Sequence, residues 1–236
     1  IALPCRYRVA TENTTFAMPE TGIGLFPDVG GGWFLPRLPG RTGAWLATTG
    51  SRIKGADCLA LGIATHFIPS DKIEEVKAKI LADHANLDAI LADASVTPPP
   101  AAIEGQRADI DRLFASDRYE DILAALKADG SEWAQAQLTT LATKSPQTIK
   151  VALKQLAMGA KFTDFADNMK NEFRIACHVL RRPDFIEGVR AVIVDKDNAP
   201  KWDPATPEGA TDALIDSLFA PLSPDKEWAP LPAKGA

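Results

Sequence analysis

Glu20 and Asp28 are the residues whose types and spacing could do chemistry. They stand 8 positions apart in Glu20-Thr21-Gly22-Ile23-Gly24-Leu25-Phe26-Pro27-Asp28-Val29-Gly30-Gly31-Gly32, a Gly- and Pro-rich stretch flanked by the apolar Ile23, Leu25, Phe26 and Trp33. Apolar surroundings strip a carboxylate of hydration and raise its pKa, and two carboxylates in one pocket split their pKa values. Such a pair suits nucleophilic or general acid–base work. Plainer readings stand beside this one: Glu20 as a surface loop residue after Pro19, and Asp28 as the N-cap of a helix through Trp33, Phe34 and Leu35. Gly30, Gly31 and Gly32 read as a tight turn or a close backbone approach.

Other catalytic arrangements are missing. There is no G-x-x-x-x-G-K-[ST], and Gly30 to Gly32 do not follow the strand-then-G-x-G-x-x-G order of a dinucleotide fold. His66, His84 and His178 lack the H-E-x-x-H spacing of a metal hydrolase, and no G-x-S-x-G elbow occurs. The histidines read as surface or core-edge residues. Cys5, Cys58 and Cys177 form no C-x-x-C pair, and an odd total cannot pair completely, so a reducing compartment is the simpler expectation. Of 236 residues, 26 are Lys or Arg and 31 Asp or Glu, a net charge of −5, which offers nucleic acid or anionic lipid no overall attraction. No run of eighteen apolar residues exists. A soluble intracellular protein, without nucleic-acid or membrane partners, is expected.

The elements that must position the pair are lopsided along the chain. Tyr7 to Glu12 and Thr14 to Pro19 are rich in β-branched and aromatic residues and meet at Asn13, which predicts two strands and a tight turn. Short helices are expected over Thr42 to Thr48 and Ala56 to Leu61, ended by Gly50 and Gly62, with one more strand over Ile63 to Pro69. Ser70 to Glu74 has the spacing of a capping box for a helix through Leu81. Pro98 to Pro100 is a stiff linker. Helices are then predicted over Ile103 to Phe114, Tyr119 to Leu126, Trp133 to Thr143, Pro146 to Met158, Phe162 to Arg181 and Phe185 to Val194. Ser145-Pro146 marks a helix start, with Ile149, Leu153 and Leu156 on one face. The expected division is residues 1–96 as a partial α/β core with the candidate loop, 97–204 as a helical region, and 205–236 as a tail over the surface. The first residue is Ile1 and the methionines are Met18, Met158 and Met169, so a processed or partial chain is expected.

Phe16-Ala17-Met18-Pro19-Glu20-Thr21-Gly22-Ile23-Gly24-Leu25-Phe26-Pro27-Asp28-Val29-Gly30-Gly31 resembles the signature of 3-hydroxyisobutyryl-CoA hydrolases, a branch of the enoyl-CoA hydratase/isomerase (crotonase) superfamily. The likeness continues in Phe34 to Leu38, Leu46 to Gly50, Gly62 to His66, Asp184 to Val192, Asp195 to Asp197 and Pro200 to Trp202. It implies an α/β (α+β) crotonase-like fold, this chain carrying the C-terminal portion of the β-β-α core and a mostly helical region. In general crotonases the residue after the second Pro of this loop is usually Gly; here it is Asp28, which favours thioester hydrolysis over hydration. By resemblance, Glu20 attacks the thioester carbonyl or activates water, and Asp28 binds the substrate's hydroxyl end or assists proton transfer.

The resemblance implies no metal or redox cofactor, coenzyme A being part of the substrate. It also requires an oxyanion hole of backbone N–H groups, expected upstream in an N-terminal portion of the same protein, without which these residues would neither complete the sheet nor turn over substrate. Lys196 is a candidate contact to coenzyme A, although the family's Lys-Arg pair is Lys196-Asp197 here. Trp33, Trp45 and Phe26 are candidates for lining an acyl pocket. The expected function is hydrolysis of 3-hydroxyisobutyryl-CoA in valine breakdown, in a bacterial cytoplasm or a eukaryotic mitochondrial matrix, by a possible homo-oligomer. The rivals are an enoyl-CoA hydratase or isomerase and a non-catalytic scaffold of the same fold.

Overall fold

A computed structural model describes residues 2–230. Strands are few and short: β1 (Val9–Ala10), β2 (Thr15–Phe16), β3 (Ile53–Lys54) and β4 (His66–Phe67). Among the described residues the α-helices are α1 (Gly31–Phe34), α2 (Thr42–Thr49), α3 (Gly55–Ala60), α4 (Ile73–Ala82), α5 (Leu87–Ala94), α6 (Arg107–Leu113), α7 (Tyr119–Asp129), α8 (Glu132–Ala142), α9 (Pro146–Gly159), α10 (Phe165–Val179), α11 (Pro183–Val189) and α12 (Asp212–Ser217). The chain divides into two compact units, Ile1–Ala17 with Arg52–Ala108, and Met18–Ser51 with Asp109–Ala236. These units cut the chain differently from the expected breaks after 96 and 204, and group Glu20 and Asp28 with the later helices.

The first unit holds both strand pairs. A turn closes where expected, with the Thr14 N–H donating to the Thr11 carbonyl at 3.1 Å, but the flanking strands do not pair with each other. β1 runs parallel to β4 and β2 antiparallel to β3. The cause is long-range: the Arg8 guanidinium donates to the carbonyls of Ile63 at 2.6 Å and Gly62 at 3.1 Å, lashing β1 to the segment before β4. The capping box at Ser70 is also not formed. Ser70 gives its N–H and hydroxyl to Glu12, and a 3-10 turn, Ser70–Lys72, leads into α4 instead. Ile68, Val76 and Leu91 form this unit's own core, covered by Tyr7, Ile73 and Ile80.

In the second unit α9 is the packing axis, in contact with α1, α2, α7, α10 and α12. It starts as read, with Pro146 in its first turn and the Ser145 hydroxyl accepting the Thr148 N–H at 3.1 Å. Ile149 and Leu153 are fully buried, each worth about 1.5–3 kcal/mol relative to exposure. Phe26, Val151, Ile175, Val179, Ala210, Ile215 and Leu218 form a further cluster. The last three correct the expectation of a surface tail: α12 carries Ile215 inward, and the prolines on either side of it, Pro204, Pro207, Pro221 and Pro224, hide that short helix from a reading of periodicity. Residues 231–236 of that tail lie outside the described residues. α10 is shorter than expected, and α11 passes into a π-helix, Arg190–Val194.

Candidate active site

Glu20 opens a 3-10 turn, Glu20–Ile23, and its carbonyl accepts the N–H groups of Gly24 and Leu25. The turn is tied to two helices. The Thr21 hydroxyl donates to the Thr48 carbonyl of α2 at 3.2 Å, and the Ser145 N–H at the head of α9 donates to the Thr21 carbonyl at 3.0 Å. From a third side comes α11. Gly24 has φ +70°, and a Cβ there would lie 2.2 Å from the Asp184 carbonyl oxygen. Asp184, fully buried, accepts the Ser145 hydroxyl at 2.5 Å and the Asp203 N–H at 2.7 Å. The motif Asp184-Phe185-x-Glu187-Gly188 therefore braces the turn that carries Glu20.

The Glu20 carboxyl is left chemically available. Its Oε2 is buried and has no hydrogen-bond partner among the described residues. An unsatisfied buried acceptor typically costs about 1–3 kcal/mol, so a site that keeps one invites a functional explanation. Burial pushes the Glu20 pKa up to about 7; its own backbone N–H pulls the other way, and the Asp28 charge adds to the rise. Asp28 is half-buried and burial raises its pKa also. The Asp28 charge thus reaches Glu20, within the same compact unit.

Asp28 is not a helix cap. The N-cap of α1 is Gly30, left-handed at φ +94° and without any side-chain cap. Before it, Val29 also has a positive φ of 49°, a conformation that costs a β-branched residue roughly 1–2 kcal/mol. Two consecutive left-handed residues turn the chain sharply between Asp28 and α1, so the Asp28 side chain is not spent on the helix N-terminus.

Gly30, Gly31 and Gly32 have the packing role expected of them. The Gly31 N–H donates to the Asp28 carbonyl at 2.8 Å. The Gly30 N–H reaches Glu172 Oε2 at 2.9 Å and the Gly32 N–H reaches Glu172 Oε1 at 3.0 Å. All three amides are committed and none is free to serve as an oxyanion donor. Glu172, buried on α10, also accepts from Asn168 Nδ2 at 2.9 Å and Gln155 Nε2 at 3.3 Å, and Gln155 Nε2 donates to the Pro27 carbonyl at 2.8 Å. Burial raises the Glu172 pKa, the Gly30, Asn168 and Gly32 donors pull it back, and the Asp28 charge pushes it up again. Sequence reasoning missed Glu172. The available signal was the polar set Asn168, Asn171 and Glu172 on the same face of α10 as Ile175 and Val179, all of them buried.

The aromatic candidates separate. Phe26 is fully buried in the α9–α10 cluster, and Trp45 is buried with its indole N–H on Gln137 Oε1 at 2.8 Å, so both are core residues. Trp33 is half-buried; the Arg37 guanidinium lies 3.6 Å from its ring centre and Phe165 meets it edge-on. Lys196 is exposed, left-handed at φ +57°, and flanked by Asp195 and Asp197, which both bind Arg190 Nη1 at 2.7 Å. No described hydrogen bond or ion pair joins its amine to Glu20 or Asp28.

His66 Nδ1 lies 2.8 Å from the Thr65 hydroxyl, and His178 Nε2 lies 3.0 Å from the Ala220 carbonyl, neither near the carboxylate pair in sequence. Cys58 is buried, and burial pushes its thiol up to about 11. Among the described residues no group of three His, Cys, Asp or Glu side chains is placed to hold a metal ion, and no helix is long and apolar enough to cross a membrane.

A profile described as enoyl-CoA hydratase/isomerase matches residues 1–219. A mitochondrial 3-hydroxyisobutyryl-CoA hydrolase of Danio rerio is 44% identical over 226 residues, 92% of this chain and 59% of that protein. One of Dictyostelium discoideum is 42% identical over 229 residues, 94% of this chain and 60% of its own. The chain therefore spans about three fifths of these relatives' length. Among solved structures, a carnitinyl-CoA dehydratase from Mycobacterium thermoresistibile superposes with a TM-score of 0.88 at 39% identity, over 94% of this chain and 64% of that one. An enoyl-CoA hydratase from Rhodobacter sphaeroides 2.4.1 gives 0.86 at 32% identity, over 97% and 66%. The fold expected from the sequence stands.

Proposed function

The chain belongs to the enoyl-CoA hydratase/isomerase family, and from that premise we propose that it carries the catalytic carboxylates of an acyl-CoA thioester hydrolase whose substrate is 3-hydroxyisobutyryl-CoA, in valine breakdown. The observation that carries the proposal is Glu20 Oε2, buried without a partner and within reach of the charge of a second carboxylate, Asp28, that does not cap α1. The names of the curated relatives support the same substrate.

With a pKa of about 7, Glu20 is ionised in a useful fraction at neutral pH, while burial leaves it poorly hydrated and reactive. Two routes use it. In one, Oε2 adds to the thioester carbonyl, the C–S bond breaks, the coenzyme A sulfur leaves with the electron pair and takes a proton, and water then opens the anhydride. In the other, Glu20 takes a proton from a water molecule that adds to the same carbonyl. Both consume one water and yield one carboxylic acid and one thiol. Asp28 holds the hydroxyl end of the acyl group or passes a proton.

Because the Gly30 to Gly32 amides are occupied, the oxyanion donors are assigned to backbone N–H groups outside this loop. Lys196 is assigned to the coenzyme A phosphates as a solvent-exposed cation. The location proposed is the mitochondrial matrix for a eukaryotic parent and the cytoplasm for a bacterial one. The test is release of free thiol from 3-hydroxyisobutyryl-CoA by the full-length protein.

A second reading, hydration of an enoyl-CoA double bond, is favoured by the descriptions of the two solved structures. Crotonyl-CoA separates the two: loss of its enoyl absorbance without thiol release supports hydration, and thiol release from the hydroxyacyl substrate supports hydrolysis.

A further inference from the structure

We propose that Glu172 is a positioning residue for Asp28: by accepting the Gly30 and Gly32 N–H groups on its two oxygens it holds the sharp turn that aims the Asp28 carboxylate. The inference rests on the reading of Glu20 and Asp28 as the catalytic pair.

The network around Glu172 is built toward one anion. Four N–H donors converge on its carboxylate, Gly30 on Oε2 and Gly32, Asn168 and Gln155 on Oε1, as suits an ionised acceptor. Asn168 and Gln155 turn their NH2 groups to it and leave Asn168 Oδ1 and Gln155 Oε1 buried without partners. Two side chains thus forgo their own acceptor bonds to feed Glu172.

The turn has little freedom to relax otherwise. Its first residue, Pro27, is held through its carbonyl by Gln155, and a Cβ on Gly32 would lie 2.6 Å from Asn168 Oδ1 and 2.8 Å from Gln155 Nε2. Between these anchors lies Val29 at φ +49°, a strained conformation that persists only where its surroundings impose it. Packing alone would be served by Gln or Leu. Only a carboxylate presents acceptors, and no donor, to both glycine amides.

The test is Glu172→Gln in the full-length protein, which keeps the shape and turns an NH2 group against an N–H donor. Two readings are taken: amide hydrogen exchange across Gly30 to Gly32, and kcat and KM for thiol release per folded molecule. The expected result is faster exchange at the turn and a kcat lower by about 10- to 100-fold, with KM within about twofold of wild type. If E172Q does not fold, Asn168→Ala removes one donor from Glu172 and should give a smaller kcat loss of the same kind, about threefold. Unchanged exchange overturns the proposal, as does faster exchange with unchanged kcat, which marks a purely structural contact. If the wild type releases no thiol, the hydrolase reading fails, while exchange in E172Q still decides whether Glu172 holds the turn.

Discussion

A methyl group on Gly188 of α11 would stand 2.3 Å from the carbonyl carbon and oxygen of Ile23, at the end of the turn that begins with Glu20. Backbone meets backbone there, with no flexible side chain to yield. Gly188→Ala should therefore push α11 off the turn, lowering stability by about 3 kcal/mol and thiol release with it. Urea unfolding checks this, and a change below about 0.5 kcal/mol, the range of an inert surface substitution, would show that the two elements are not clamped.

Glu20 should make stability pH-dependent. Its pKa is about 7 folded against an ordinary 4.5, so the native state binds the proton more tightly than the unfolded chain. The stability this confers is complete below about pH 4.5 and is lost as pH rises through about 7. Glu20→Gln cannot titrate. The stability of E20Q relative to wild type should grow by on the order of 2 kcal/mol across that window and then level off, a value reduced for the part of Glu20 that remains in contact with solvent. A constant difference in denaturation midpoints from pH 4.5 to 8 would show that Glu20 titrates normally.

The same pKa sets the rate profile. Whether Glu20 attacks or activates water, it must be deprotonated, so kcat/KM should rise with pH and level above about 7. Burial is the main cause of the shift, and the Asp28 charge adds to it. In Asp28→Asn the residual activity should be far lower, and its rising limb should move to lower pH because the neighbouring negative charge is gone. A limb that stays in place would mean that Asp28 lies too far away to act on Glu20.

What the sequence disclosed was local. Glu20, Asp28 and the glycines lie within thirteen consecutive residues, and Ser145 caps α9 through a bond to Thr148, three positions on. What escaped was set at long range. Val9 pairs with His66 because Arg8 reaches Ile63, 55 positions away, and nothing near Asn13 signals that β1 and β2 belong to different pairs. Glu172 meets Gly30 across 142 positions. Asp28 satisfied every local rule for an N-cap, yet the positive φ of Val29 and Gly30 gave that place to Gly30, a choice that depends on Glu172 holding the turn. Tertiary contacts overrode local preference at the point where the chemistry is proposed.

Glu20 is proposed as the carboxylate that cleaves a thioester, and thiol release from 3-hydroxyisobutyryl-CoA by full-length wild type and Glu20→Gln tests that role. Wild type should release thiol, and a folded E20Q protein should lose about 10³-fold or more, since the amide keeps the shape and removes the charge. Near-normal turnover by E20Q, or a wild type that hydrates crotonyl-CoA and releases no thiol, would contradict it.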